Sequence, residues 1–279
     1  MTVPQFIRLS DAIAAQAVTW DSLTKVKAID MRNKIMLLFI WVFHYEQYDS
    51  LQTHFLLNRR QVSLTIKEGL SYLVGFFLQH LTPFPFQPQD TSSLSTKIKF
   101  VIDGTIHPIL KPCFRQNWWY REDKKCHFYT TMLVVDFNGY IHYVRTGCPG
   151  SLHDSSIVRM SPDLKNAMDG QYCLADPGFQ ALNEAVAGFK VSQLDWSDPK
   201  QRKFHQISRH EQIIVENVNA MIKKAKVLSK KTFFRHPDHS LLVGAVLIVC
   251  GIHNYRRSHN WDVIEEEESS EEEEMSEIS

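Results

Sequence analysis

Four acidic residues stand where the local sequence would leave a carboxylate free to act. Asp103 occurs in Ile102-Asp103-Gly104-Thr105, and Asp176 in Ala175-Asp176-Pro177-Gly178. Each closes a short apolar run of strand character and is followed at once, or after one residue, by glycine. Both are therefore expected at strand ends, at a sheet edge where backbone can approach a ligand. Asp154, in Pro149-Gly150-Ser151-Leu152-His153-Asp154-Ser155, is expected in a helix's first turn, where a carboxylate meets the helix dipole favourably. Glu216 falls in mid-helix among Arg209, Gln212 and Lys223, opposite a face of Ile214, Val218 and Met221. If the two strands are neighbours, two carboxylates share one small volume. Like charges that close need a cation, and hard oxygen donors suit Mg²⁺ or Mn²⁺. Taken singly each acid has a plain explanation: turn chemistry for Asp before Gly, a helix-start acid, a solvated glutamate.

Trp118, Trp119 and Tyr120 stand among Arg115, Arg121, Lys124 and Lys125. Such a group can stack exposed bases and hold a phosphate backbone, or it can pack as a half-buried strand. Cys126-His127 and His236-x2-His239 lack the paired spacing of a closed zinc site.

The elements that must position these residues follow from periodicity. Residues 32–81 read as helical: Ile35, Leu38, Phe39, Val42 and Phe43 form one stripe, then Leu51–Phe55, a turn at 56–58, and a helix capped by Asn58. That last helix carries Ile66, Leu70, Leu73, Val74, Phe77, Leu78 and Leu81, and opens on Arg59, Arg60 and Gln61, which can reach phosphates or base edges. Helix, helix, turn, helix suits either a helix-turn-helix module or a plain bundle. Pro83, Pro85 and Pro88 mark a linker over 82–97. Strands are expected at Ile98–Asp103, Phe128–Phe137, Tyr140–Thr146 and Tyr172–Asp176, with Asn138-Gly139 as a hairpin turn. Helices are expected at His153–Met160, Phe204–Val227 and Leu241–His253, the long one with a face of Ile207, Ile214, Val218, Met221 and Ala225. The order gives a mixed α/β domain over 98–264.

At 279 residues, with 44% hydrophobic and 22% charged side chains, the chain has core material for one large or two small domains. Its longest apolar run, Leu241–Ile252, is too short to span a membrane, and no signal peptide pattern is expected at the start. Five cysteines without CxxC pairing argue against a disulfide framework. The net charge of zero hides an asymmetry: residues 265–279 hold nine Glu and no Lys or Arg, which leaves 31 positive against 22 negative groups, +9, on the rest. A basic body with an acidic, apolar-poor tail expected to be disordered fits nucleic-acid binding, and equally a solvated surface with a solubility tail.

In combination, IDGT (102–105), PGSLHDSS (149–156), ADPGF (175–179), SRHEQIIVENVNAMIKK (208–224) and GIHNYRRS (251–258) resemble the DDE superfamily endonucleases of the PIF/Harbinger transposase type. The likeness covers roughly residues 98–257, with the preceding helices similar to that family's N-terminal module. It implies an RNase H-like mixed sheet with flanking helices. It implies two divalent ions, Mg²⁺ or Mn²⁺, held by Asp103, by Asp154 or Asp176, and by Glu216. It also implies phosphodiester hydrolysis at transposon ends, double-stranded DNA as partner, a Myb-like partner protein, and a nuclear location, cytoplasmic where import depends on that partner. A homo-oligomer is a further expectation. Phosphate contacts are expected from Lys223 and the 115–125 cluster. Gln212 stands where the family has arginine, Ile106 intervenes before His107, and Pro177 replaces a common serine. A non-cleaving, domesticated binding factor of the same fold is the alternative reading.

Overall fold

The computed structural model describes residues 3–16, 25–81, 92–167, 171–179, 182–183 and 185–259. Most of the proline-rich linker (82–91) and the acidic tail at 265–279 lie outside the described residues. Among the described residues four helices come first: α1 (Val3–Gln16), α2 (Met31–His44), α3 (Tyr48–Phe55) and α4 (Arg59–Leu78). Asn58 caps α4 as expected. Its side chain accepts from the Gln61 N–H at 2.9 Å, while the Gln61 side chain accepts from the Asn58 N–H at 2.9 Å. Ile66, Leu70, Leu73 and Phe77 of the expected stripe are buried.

The sheet comprises β1 (Ile98–Pro108), β2 (Tyr120–Arg121), β3 (Cys126–Asp136), β4 (Ile141–Pro149), β5 (Tyr172–Ala175) and β6 (Ala185–Ala187). Five strands lie in the order β4-β3-β1-β5-β6, and β2 extends the start of β3. β1, β3 and β4 are antiparallel neighbours, whereas β5 and β6 continue parallel to β1. Helices α5 (Gln116–Trp119), α6 (Asp154–Arg159), α7 (Pro162–Ala167), α8 (Pro199–Ile222) and α9 (Ser240–Ser258) complete the order. A mixed sheet flanked by helices and preceded by a helical region is the RNase H-like arrangement that the resemblance implies.

Strand alternation splits the core in two. Val101, Leu133, Val135 and Leu174 face α8, α9 and the N-terminal helices in one continuous cluster. Phe100, Ile102, Met132, Val134, Cys173 and Ala175 face Ile157 and Val158 of α6 and Leu164 of α7. Helix α9 lies parallel to α4: Gly244 meets Leu70 and Val74, and Gly251 sits hard against Phe77, where a Cβ would overlap that side chain. At the hairpin Gly139 has φ +76°, and Asp136 Oδ1 accepts the N–H of Asn138 and of Tyr140 at 2.9 Å each. Asn254 of α9 then clamps Ile141 through both backbone groups, at 2.9 and 2.7 Å.

Two expected boundaries change. β1 does not stop at Asp103: Gly104–Pro108 go on pairing with Met132–Phe128 of β3, so Asp103 is a mid-strand residue. Helix α8 starts at Pro199, capped by Asp198, and ends at Ile222. Its buried face is Ser208, Val215, Val218, Asn219 and Ile222, rotated from the expected Ile207/Ile214/Met221 line because the sheet contributes most of the apolar surface it covers.

Candidate metal-binding active site

β1 outruns its parallel neighbour. Val101 pairs with Leu174 and Ile102 with Ala175, and β5 then ends. One step further along both chains come Asp103 and Asp176, leaving the sheet on the α8 side by alternation. Asp176 stands exposed where the chain turns into the 3-10 helix Pro177–Phe179, and its Oδ1 accepts the Gly178 N–H at 2.8 Å. Asp103 is partly buried, and its Oδ2 accepts from Asn219 Nδ2 of α8 at 2.8 Å. Burial pushes the Asp103 carboxyl up from 3.8 to about 7; repulsion from Asp176 and Asp154 adds to the rise, while the Gly104 N–H and the Lys223 ammonium oppose it.

Asp154 approaches from the opposite face of the sheet. It opens α6 behind the cap residue His153, as expected of a first-turn acid. Its carboxylate lies over Gly104: a Cβ on that residue would stand 2.8 Å from Asp154 Oδ1. The glycine of IDGT thus makes room for the aspartate of HDS. Burial raises the Asp154 carboxyl, and Asp176 raises it further; Arg121, His153 and Lys124 pull it down. The segment before it is anchored by the Ser151 N–H, which donates to the Trp118 carbonyl at 3.0 Å.

Lys223 caps the end of α8, and burial together with Lys230 lowers its ammonium from 10.5 to about 8, with Asp103 opposing. Further along β1 on the Asp103 face, His107 is fully buried. Its Nδ1 donates towards the Leu228 carbonyl at 3.4 Å, and its Nε2 accepts from the Thr131 hydroxyl at 3.1 Å. Burial drives its pKa down to about 4, so it is a neutral core residue at physiological pH.

Glu216 does not join the aspartates. It is exposed, about 60° around α8 from Asn219, and the α8 side chain bonded to Asp103 is Asn219 instead. Among the described residues no group of three or more His, Cys, Asp or Glu side chains is disposed to hold a metal ion. The reason is visible in the hydrogen bonds: Asp103 and Asp176 are each turned onto a protein donor, and Asp154 reaches Gly104 from the other face.

The basic cluster divides. Arg121 binds Asp123 at 2.7 Å, lies 5.5 Å from the Phe128 ring centre and, with Lys124, attracts Asp154, so this part borders the acids. Arg115 covers the Trp118 ring at 4.4 Å, and Trp118 is half exposed. Lys125 is exposed in the turn before β3, with φ +51°. Trp119 is half-buried: its ring packs 4.3 Å from Tyr129, beside His239, so part of it is engaged by the fold. The aromatic pair sits on a helical turn rather than a strand. Arg59 and Arg60 are not brought to the acids. They line a separate groove of about 890 Å³ at the start of α4, where Arg59 binds Asp49 at 3.0 Å.

Asn219 was missed by sequence reasoning. Its signal was present: an asparagine amid Val215, Val218 and Ile222 breaks an apolar helix face, where a residue of poor helix propensity needs a reason.

Fold and site together define a nuclease-like α/β protein. A family model described as DDE superfamily endonuclease matches residues 102–254, and the chain belongs to that family. The match begins one residue before Asp103 and ends in α9, so it includes all four candidate acids and Lys223. No curated protein matches the chain. Among the described residues no helix is long and apolar enough to cross a membrane.

Proposed function

We propose that the chain is a divalent-metal-dependent DNA endonuclease of the Harbinger transposase type. The observation that carries this reading is the register of β1 and β5, which sets Asp103 beside Asp176 with Asp154 laid against Gly104. Asp176 raises the carboxyl pKa of both Asp103 and Asp154, so the acids form an anionic cluster of hard oxygen donors, and that chemistry fits Mg²⁺ or Mn²⁺. Asp103 and Asp176 would hold an ion, with Asp154 supporting it from the Gly104 side; Glu216, exposed on α8, would have to swing in from solvent to complete the set. A bound ion would polarise a phosphate and acidify the attacking water. The chain's own part is positional. Asn219 fixes one oxygen of Asp103, Lys223 offers a cation beside it, and Arg121, Lys124, Lys125, Arg115 and Trp118 supply contacts to the DNA backbone. Arg59 and Arg60 would add phosphate contacts from the helical region. A Myb-like partner, a homo-oligomer and a nuclear location belong to the same proposal.

The test is cleavage of DNA bearing the element's own ends in Mg²⁺ or Mn²⁺. The wild-type chain is expected to nick it, and Asp103→Asn to bind the DNA with nicking abolished. Nicking retained by a folded Asp103→Asn protein would overturn the assignment. Calorimetric Mn²⁺ affinity should fall at least tenfold in Asp176→Asn and Glu216→Gln and little in Asp154→Asn; the reverse order would make the HDS aspartate the second ligand.

A second reading, a domesticated protein that binds DNA without cutting, is favoured by one feature. Asp103 and Asp176 already satisfy protein donors while Glu216 faces solvent. DNA binding by the wild-type chain with no cleavage in either ion would support it.

A further inference from the structure

Helices α1 and α2 leave apolar surface uncovered. Val3 is 72% and Met36 44% exposed. Beside them runs a groove of about 640 Å³ floored by Phe6, Phe39, Phe43 and Ile252. Its charge comes from the far rim: Lys224 and Lys226, just past α8, and Arg256 in the last turn of α9. None of the lining residues is acidic. An apolar floor with a wholly cationic rim calls for a segment in which apolar residues are followed by acids.

The chain beyond the last described residue, His259, has that composition. It reads Asn260-Trp261-Asp262-Val263-Ile264 and then Glu265–Glu268. Ile252 and Arg256 lie one turn apart on the same side of α9, so the groove follows the helix towards the point where the chain leaves it. Arg256 precedes His259 by three residues, about 4.5 Å of helix. Trp261 comes two residues later, within about 7 Å of extended chain.

We propose that this groove is the docking site of residues 261–268 of the same chain, with Trp261, Val263 and Ile264 on the apolar floor and Glu265–Glu268 against Lys224, Lys226 and Arg256. The short tether gives the segment an effective concentration in the millimolar range, so modest contacts suffice to hold it. Lys224 adjoins Lys223, whose ammonium acts on Asp103. Docking would therefore set four carboxylates beside Lys224, the residue next to Lys223. The proposal is independent of whether the chain cuts DNA.

The test uses the full chain and a fluorescein-labelled peptide of residues 260–270. Trp261→Ser/Val263→Ser/Ile264→Ser removes the segment's apolar residues and leaves every described residue unchanged. This variant is expected to bind the peptide at least tenfold more tightly than the wild-type chain, whose groove is filled. Adding Met36→Glu, or Lys224→Glu with Lys226→Glu, changes exposed side chains only and should weaken that binding at least tenfold, more so at low salt for the lysine pair. Equal binding by wild type and the triple-serine variant, or binding indifferent to Met36→Glu, would overturn the proposal. So would a wild-type dimer that the triple-serine change converts to monomer in sedimentation, because the occupant would then be a second copy's segment.

Discussion

At the residue scale the acid cluster carries its own pH signature. Asp103 titrates near 7 in the folded, metal-free protein against an ordinary 3.8. A carboxyl whose folded-state pKa is raised favours the native state while protonated. That contribution is complete below about pH 4 and is lost as pH rises through 7, a difference on the order of 4 kcal/mol. Asp103→Asn removes the titration, so in chelator its thermal midpoint should exceed wild type at pH 8 and approach it at pH 4. Equal midpoints at both pH values would show that the carboxyl is not buried as described. Divalent ions must also displace that proton, so Mn²⁺ affinity should rise between pH 6 and 8, with proton release visible as buffer-dependent binding heat. Asn219→Leu keeps the branching at Cγ and deletes the donor to Asp103 Oδ2. Mn²⁺ affinity at pH 7.5 should drop about tenfold, as loss of an orienting partner does elsewhere; an unchanged affinity would reduce Asn219 to packing. Asp103, Asp176 and Asp154 stood out because Asp followed closely by Gly and the HDS string are local signals; Glu216, exposed in mid-helix, carried none. Asn219 broke an apolar helix face, but its partner was not legible, because the bond that gives it a role joins residues 116 positions apart. The packing of Trp119 was hidden for a similar reason: its partners Tyr129 and His239 come from elements that only the fold brings together.

At the scale of elements, helices were read well where an apolar stripe met a strong cap, as at Asn58. They were read poorly where the sheet determined the buried face, as along α8. β1 shows the same override. Gly104 looked like a terminator, yet the strand continues because β3 supplies partners as far as Pro108 and Asp154 takes the place of the missing side chain. The α4–α9 contact allows a paired test. Gly251→Ala drives a methyl into Phe77 and should cost about 1–3 kcal/mol in urea unfolding. Gly244→Ala meets Leu70 and Val74 at 3.6 and 3.7 Å, ordinary contact distances, so the helix preference for alanine should leave it neutral or stabilised by up to about 1 kcal/mol. Equal effects at the two sites would show that α9 does not seat against α4 in this register.

At the scale of the whole molecule, charge and connectivity set the behaviour. The body is +9 and residues 265–279 carry nine glutamates, so removal of those residues should tighten non-specific DNA binding at low salt and steepen its salt dependence. Identical binding isotherms for the two chains would show that the acids do not compete with phosphate. The mixed-sheet class was readable from the order of strands and helices. The continuous cluster joining α1–α4 to the sheet was not, because its centre is α9, far along the chain. That placement also governs biosynthesis. The apolar face of α4 is complete once residue 78 is made, but α9, which covers it, ends at residue 258. At about 5–20 residues per second, on the order of 10–40 s of translation separate the two. Through that interval the nascent chain presents the α9-facing side of α4 uncovered to whatever chaperones attend the ribosome. The delay follows from the order of elements along the chain, and no substitution within α9 can shorten it.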